Sequence, residues 1–223
     1  MSQKLTSQKI EHSRTIGFLF LIAFITYGIG RGSIESQSLS EQIVGILLIL
    51  INFITVFTIG LLLAHTIHSY NETVGNIYIL SRIIEAILLS TIILTLPFLQ
   101  PIASFIGINN DNGYNLAMVT LGLGSIPACH SMYVHNLLPS WLSLSGLLSY
   151  TILTISYIDE VFQLNILNGL FNFPMNNMDS SNSSEGVVIY ALLLSGVWEV
   201  VFSLYLINFK SSSGITGEVE IVN

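Results

Sequence analysis

The 223-residue chain is 52% apolar and only 9% charged, with a mean hydropathy of +0.73. A water-soluble domain carries roughly 25% charged residues, so this composition excludes a surface solvated on all sides and requires a bilayer. Six Lys and Arg against 13 Asp and Glu give a net charge of −7, which excludes the basic footprint of a nucleic-acid partner. The single cysteine, Cys129, sits in an apolar run and leaves neither a disulfide framework nor a thiolate zinc cluster.

A spanning helix needs about 20 mostly apolar residues. In chain order, a basic segment 1–14 with Lys4, Lys9 and Arg14 precedes runs at about 15–30, 43–67, 75–99, 114–136, 142–158 and 187–209. None alternates polar and apolar residues with period two, as a strand of a membrane barrel would. The expected fold is therefore all-α: a polytopic membrane bundle of six transmembrane helices over residues 15–209. The first run has a competing reading as a signal peptide, because basic residues precede it and Gly28 and Gly30 follow in a small-x-small pattern. Pro97 and Pro127 are expected to kink or end helices. The paired glycines of runs one and four read as close-packing positions.

Between runs five and six, the 159–186 stretch contains Asn176, Asn177 and Ser180 to Ser184 around Asn182. Its distal half reads as an external polar loop, and Val161 to Phe171 as a short interfacial helix. The acidic, polar tail 210–223 reads as disordered. Lys4, Lys9, Arg14 and Lys210 lie on the side of the chain ends, against Arg31 alone on the other. The bias of basic residues toward the cytoplasm therefore predicts both termini inside and a location in the cytoplasmic membrane.

Of all the charged residues, only Arg82, Glu85 and Glu199 fall inside the proposed spans. Each costs about 2.5–3.5 kcal/mol at a helix centre on insertion scales, so the three need compensation. Arg82 and Glu85, three apart, share a helical face. At 1.5 Å per residue Arg82 lies roughly 10 Å deep, and Glu85 and Glu199 both roughly 15 Å. The common level predicts that the third and sixth spans touch and that Arg82 is clamped between the two carboxylates. With both carboxylates ionised the cluster carries one net negative charge, which favours a proton on one of them. One reading makes the trio a clasp that fixes helix register; the other makes it a site for an ion, a proton or a polar ligand group. Asn52, about 7 Å from the Glu level, reads as a supporting interhelical hydrogen-bonding group.

His65 and His68 share a face at spacing three and, with His130, are the candidates for a metal or haem site. His130 and His135 are about 140° apart around a helix and cannot both face one ion, so interfacial histidines are the simpler reading and no metal or cofactor is expected. No H-E-x-x-H, G-x-S-x-G or Walker pattern is present. Two carboxylates without a nucleophile or metal are a weak enzyme signal.

The run Arg82-Ile83-Ile84-Glu85-Ala86-Ile87-Leu88-Leu89, the segment Leu138-Pro139-Ser140-Trp141-Leu142-Ser143 and the later Trp198-Glu199 resemble a bacterial membrane-protein family catalogued as domain of unknown function 4386. The resemblance extends from about residue 10 to 209 and takes in Gly17 to Ala23. It implies a multi-helix integral membrane protein in which Arg82, Glu85 and Glu199 occupy recurring polar positions, with no activity to carry over. His135, Asn136 and Ser140 stand where the family usually has basic residues, which weakens anionic headgroup binding there; His65, His68 and His130 lie outside its pattern. The leading expectation is a multi-pass protein in contact with membrane lipids, transporter-like, receptor-like or accessory, whose Arg82, Glu85 and Glu199 cluster binds or relays a small polar ligand, ion or proton. The alternatives are a histidine-based metal or haem enzyme and a purely structural lipid-interacting protein.

Overall fold

The computed structural model of the chain describes residues 10, 12–97, 99–107, 110–162, 164 and 183–208. Among these residues there is no strand. The helices are α1 (Ser13–Ile34), α2 (Leu39–His68), α3 (Glu72–Ser90), the short α4 (Gln100–Ile106), α5 (Asn110–Val134), α6 (Ser140–Phe162) and α7 (Ser183–Asn208), with a 3-10 turn Thr91–Thr95 after α3. Five stretches, Ser13–Ile34, Leu39–His68, Glu72–Thr95, Ser140–Phe162 and Val188–Asn208, are long and apolar enough to cross a membrane. The protein is an all-α membrane protein. The run at 114–136 lies on α5, which has the length, 25 residues, but is diluted by Gly113, Gly122, Gly124, Ser125, Pro127, His130 and Ser131.

Side-chain distribution fits lipid outside and protein inside. Ile25, Ile54 and Leu148 are about 60% exposed, whereas Ser143 and Ser203 are fully buried. Small and hydroxylated residues bring helices together where apolar bulk faces the bilayer. Gly124 of α5 lies on Ser81 of α3, and Gly122 on Thr154 of α6, with no room for a methyl group at either position. Both hydroxyls are satisfied within their own helices, Ser81 on the Tyr78 carbonyl at 2.7 Å and Thr154 on the Tyr150 carbonyl at 2.6 Å, so these seams stay dry.

The six long helices close into a ring, in the order α1, α2, α3, α5, α6, α7 and back to α1. Gly17, near the start of α1, packs on Ser203 and Ile207 near the end of α7. That antiparallel crossing puts the start of α1 and the end of α7 at the same end of the bundle.

Local chemistry sets the helix ends. Asn71 caps α3 by accepting from the Val74 amide at 3.1 Å. The helix expected to run to residue 99 stops at Ser90. The Ser90 and Thr91 hydroxyls bond the Ala86 and Leu88 carbonyls, the backbone tightens into the 3-10 turn, and Pro97 follows. Pro127, by contrast, is accommodated inside α5. That helix ends at Asn136, which is in the left-handed conformation (φ 53°), with the Leu137 amide donating back to the Met132 carbonyl at 2.9 Å. Pro139 then opens α6, its carbonyl accepting from the Leu142 and Ser143 amides.

The loop expected over 159–186 is shorter than its sequence suggested. α6 continues through Asp159 and Glu160 to Phe162, with Asp159 buried, and α7 begins at Ser183. The remainder of that loop, most of the expected interfacial helix, the N-terminal residues 1–9 and the tail 210–223 lie outside the described residues.

Candidate functional site: a polar cavity inside the helix ring

The ring encloses a cavity of about 240 Å³ lined by α1, α2, α3, α5 and α7. Arg82, Glu85, Glu199 and Asn52 all line it. Apart from Ser195 of α7 its walls are otherwise apolar and aromatic, with Phe20, Phe24 and Tyr27 from α1, Tyr114 from α5 and Met118 one turn further on.

Arg82 and Glu85 are 3% and 4% exposed. The Arg82 Nη1 donates to both Glu85 carboxylate oxygens, at 2.9 and 3.3 Å, and its Nε donates to the Tyr78 hydroxyl at 2.9 Å. The guanidinium carbon also lies 5.4 Å from the centre of the Phe20 ring and 5.1 Å from that of Tyr78. Positions 78, 82 and 85 are spaced four and three apart, so one face of α3 supplies both the charge partner and the hydroxyl. Gly60 of α2 makes this possible, because a Cβ there would fall 2.7 Å from the Arg82 Cβ.

Glu199 sits across the cavity on α7. Its Oε1 accepts from the Tyr150 hydroxyl of α6 at 2.8 Å; no ion pair joins it to Arg82 among the described residues. The expectation that the third and sixth spans touch and clamp Arg82 between two carboxylates is therefore corrected. α3 and α7 stand on opposite sides of the ring, and Arg82 finds its partners on its own helix. A shared depth along the membrane normal left the angular position around the ring unspecified.

The rotation of α7 is fixed by the neighbouring Trp198. Its ring stacks on Phe202 (4.9 Å between centroids, 11°), meets Tyr150 edge-on at 5.2 Å, and donates from Nε1 to the Leu142 carbonyl at 2.8 Å. Gly146 of α6 leaves the space that the indole fills. Tyr78 and Tyr150 were missed from the sequence, and Trp198 stood out there only as part of the family resemblance. Tyr78 left a local signal, as a hydroxyl four residues before a buried arginine.

Asn52 donates from Nδ2 to the Ala23 carbonyl of α1 at 2.9 Å and is 2% exposed. At the end of the cavity away from the Gly17 crossing, Tyr27 stacks on Tyr114 at 6.0 Å and Tyr114 meets Tyr157 edge-on at 6.0 Å. Arg31 lies 5.2 Å over the Tyr114 ring while donating to Glu35 at 3.1 Å. The histidines are elsewhere. His65 and His68 line a separate surface depression with Gly75 and Asn76, His68 lies 3.9 Å from Glu72, and His130 is exposed. Among the described residues no three of His, Cys, Asp and Glu converge as a metal set.

No curated protein and no solved structure matches the chain. Residues 15–209 match the family described as "Domain of unknown function (DUF4386)". This match takes in every transmembrane helix and the whole cavity, and the chain belongs to that family.

Proposed function

We propose that the protein is a membrane-embedded binding protein, transporter-like or receptor-like, that takes a small polar ligand, ion or proton at Glu199. The observation that carries this reading is the asymmetry of the two carboxylates. Glu85 is satisfied by Arg82, whereas Glu199 receives one hydroxyl among the described residues and lines a cavity with room for a ligand. A clasp alone would leave no such space, and an intramembrane carboxylate facing a cavity is a functional feature by default. An enzyme reading gains no support from a metal set, because among the described residues no three of His, Cys, Asp and Glu converge.

In this reading α5 is a sixth span. It runs the height of the bundle, from Gly113 beside Thr91 to Gly124 beside Ser81 and on toward His135, whose ring lies 5.2 Å from that of Tyr70. An even number of spans accords with chain ends on one face, and the excess of Lys and Arg there makes that face cytoplasmic in the cytoplasmic membrane. The cavity then opens from the middle of the bilayer toward the outer leaflet.

Native mass spectrometry of protein extracted gently from its own membrane tests the reading. The expected result is a small-molecule adduct on the wild type that Glu199→Gln loses and His65→Ala keeps. A bare polypeptide mass in all three would overturn a retained ligand or ion and leave the proton and the structural clasp.

A further inference from the structure

The same cavity also constrains the class of ligand and where its bulk goes; this step rests on the binding reading above. In the cavity wall the Ser195 hydroxyl is spent on the Leu192 carbonyl of its own helix at 3.1 Å. Arg82 is matched by Glu85, by Tyr78 and by two aromatic faces, with only Nη2 left without a hydrogen-bond partner among the described residues. Glu199 Oε2 and Asn52 Oδ1 accept no hydrogen bond among the described residues. One arginine against two carboxylates leaves the cavity one net negative charge when all three are ionised, so the group that completes the site is a positive hydrogen-bond donor. The Phe24 ring in the wall suits one, since aromatic faces attract cations and the Phe20 and Tyr27 rings already meet Arg82 and Tyr114.

The shape adds a second constraint. Among the lining residues, only Phe24 and Gly28 are exposed, both on α1 and one turn apart. The facing residues of α7, Leu192 and Gly196, are half-buried, and the Phe24 ring lies 3.0 Å from where a Gly196 Cβ would be. Below this point α1 and α7 are locked by Gly17 on Ser203 and by the edge-on Phe20 and Phe202 rings, 5.5 Å apart. Above it Gly28 has nothing within 4 Å of the position of a Cβ. The seam is flanked by Ile25, Ile29 and Leu193, each more than half exposed on the apolar outer surface. The cavity therefore opens sideways toward lipid, while stacked Tyr27 and Tyr114 cover its end.

From this geometry we infer that the ligand is an amphiphilic amine, whose protonated head sits against Glu199 and whose hydrocarbon chain leaves the bundle through the seam between α1 and α7. The head replaces the missing donor and the chain stays in a medium as apolar as itself.

Thermal unfolding in lipid nanodiscs, with octylamine, ethylamine, octanol and octanoate as probes, tests this. Octylamine at about a hundredfold excess over its Kd should raise the melting temperature by roughly 5 °C. Octanol and octanoate should not, and Glu199→Gln should remove the shift. Gly28→Leu fills the seam at a position with open space around it, so the variant is expected to melt no lower than the wild type without ligand. In that variant the effect of octylamine should fall to that of ethylamine. Equal shifts from ethylamine and octylamine in the wild type, or an octylamine shift that Gly28→Leu leaves intact, would overturn the chain's path through the seam while the binding reading stands. Stabilisation by octanoate, lost in Arg82→Gln, would overturn the charge class. No shift from either amine would overturn the inference outright, and the mass-spectrometric adduct would then decide the binding reading separately.

Discussion

The two sides of the cavity solve the same electrostatic problem differently. On α3, a buried arginine, a carboxylate three residues on and a tyrosine four residues back form a closed set, held against α2 through Gly60. On α7, Glu199 is turned inward by the packing of Trp198, and among the described residues its carboxylate is hydrogen-bonded by the Tyr150 hydroxyl alone. A closed set inside a membrane acts as structure, because its charges are neutralised where they stand. An open carboxylate at the same cavity is tolerated only if something else supplies the counter-charge or proton, and that difference separates scaffold from site.

The comparison breaks most visibly at Arg82. Arg82→Gln leaves Glu85 buried without its cation, at an expected cost of about 3–5 kcal/mol. For a chain of this length that lowers the melting temperature by roughly 10 °C in detergent. The double variant with Glu85→Gln should recover most of the loss, because removing both charges leaves neither stranded. A double variant as unstable as the single one would mean that Arg82 serves the fold through packing rather than charge. Next in size, Gly124→Val places a branched side chain against Ser81, where the helices have no space. About 2 kcal/mol of destabilisation is expected from the forced separation of α5 and α3. An unchanged melting temperature would show that α5 is loosely held, and would count against its place in the ring.

The parts of this arrangement that sequence discloses are those carried by one helix. Composition alone requires the bilayer, and the apolar runs mark where the long helices lie, since burying backbone in lipid leaves helix as the solution for such a sequence. The spacing of Arg82 and Glu85 likewise contains their pairing. What spacing cannot contain is the angle at which each helix faces its neighbours. Glu199 and Arg82 share a depth, but α3 and α7 stand opposite in the ring, and the partner of Glu199 comes from α6. The early end of α3 depended on whether the Ser90 and Thr91 hydroxyls turn back onto the helix. The seven-residue α4 is too short for hydrophobic periodicity to reveal.

The smaller effects test the open side. Tyr150→Phe removes the donor to Glu199 while keeping the ring against Trp198, so about 1 kcal/mol should be lost, measured as a fall in melting temperature of a few degrees. Glu199→Gln should do less still. The amide keeps an oxygen for the Tyr150 hydroxyl and removes a charge that makes no ion pair among the described residues, so unfolding stability should stay within about 0.5 kcal/mol of the wild type. A thermodynamic cycle sharpens the contrast: the coupling between Arg82→Gln and Glu85→Gln should be well above 1 kcal/mol, and that between Arg82→Gln and Glu199→Gln below about 0.5. Equal couplings would mean that Glu199 moves onto Arg82 in the membrane and that the cavity closes around one three-membered cluster. Unequal couplings, with ligand retention lost in Glu199→Gln alone, would make stability and binding separable properties of the two sides, as the geometry requires.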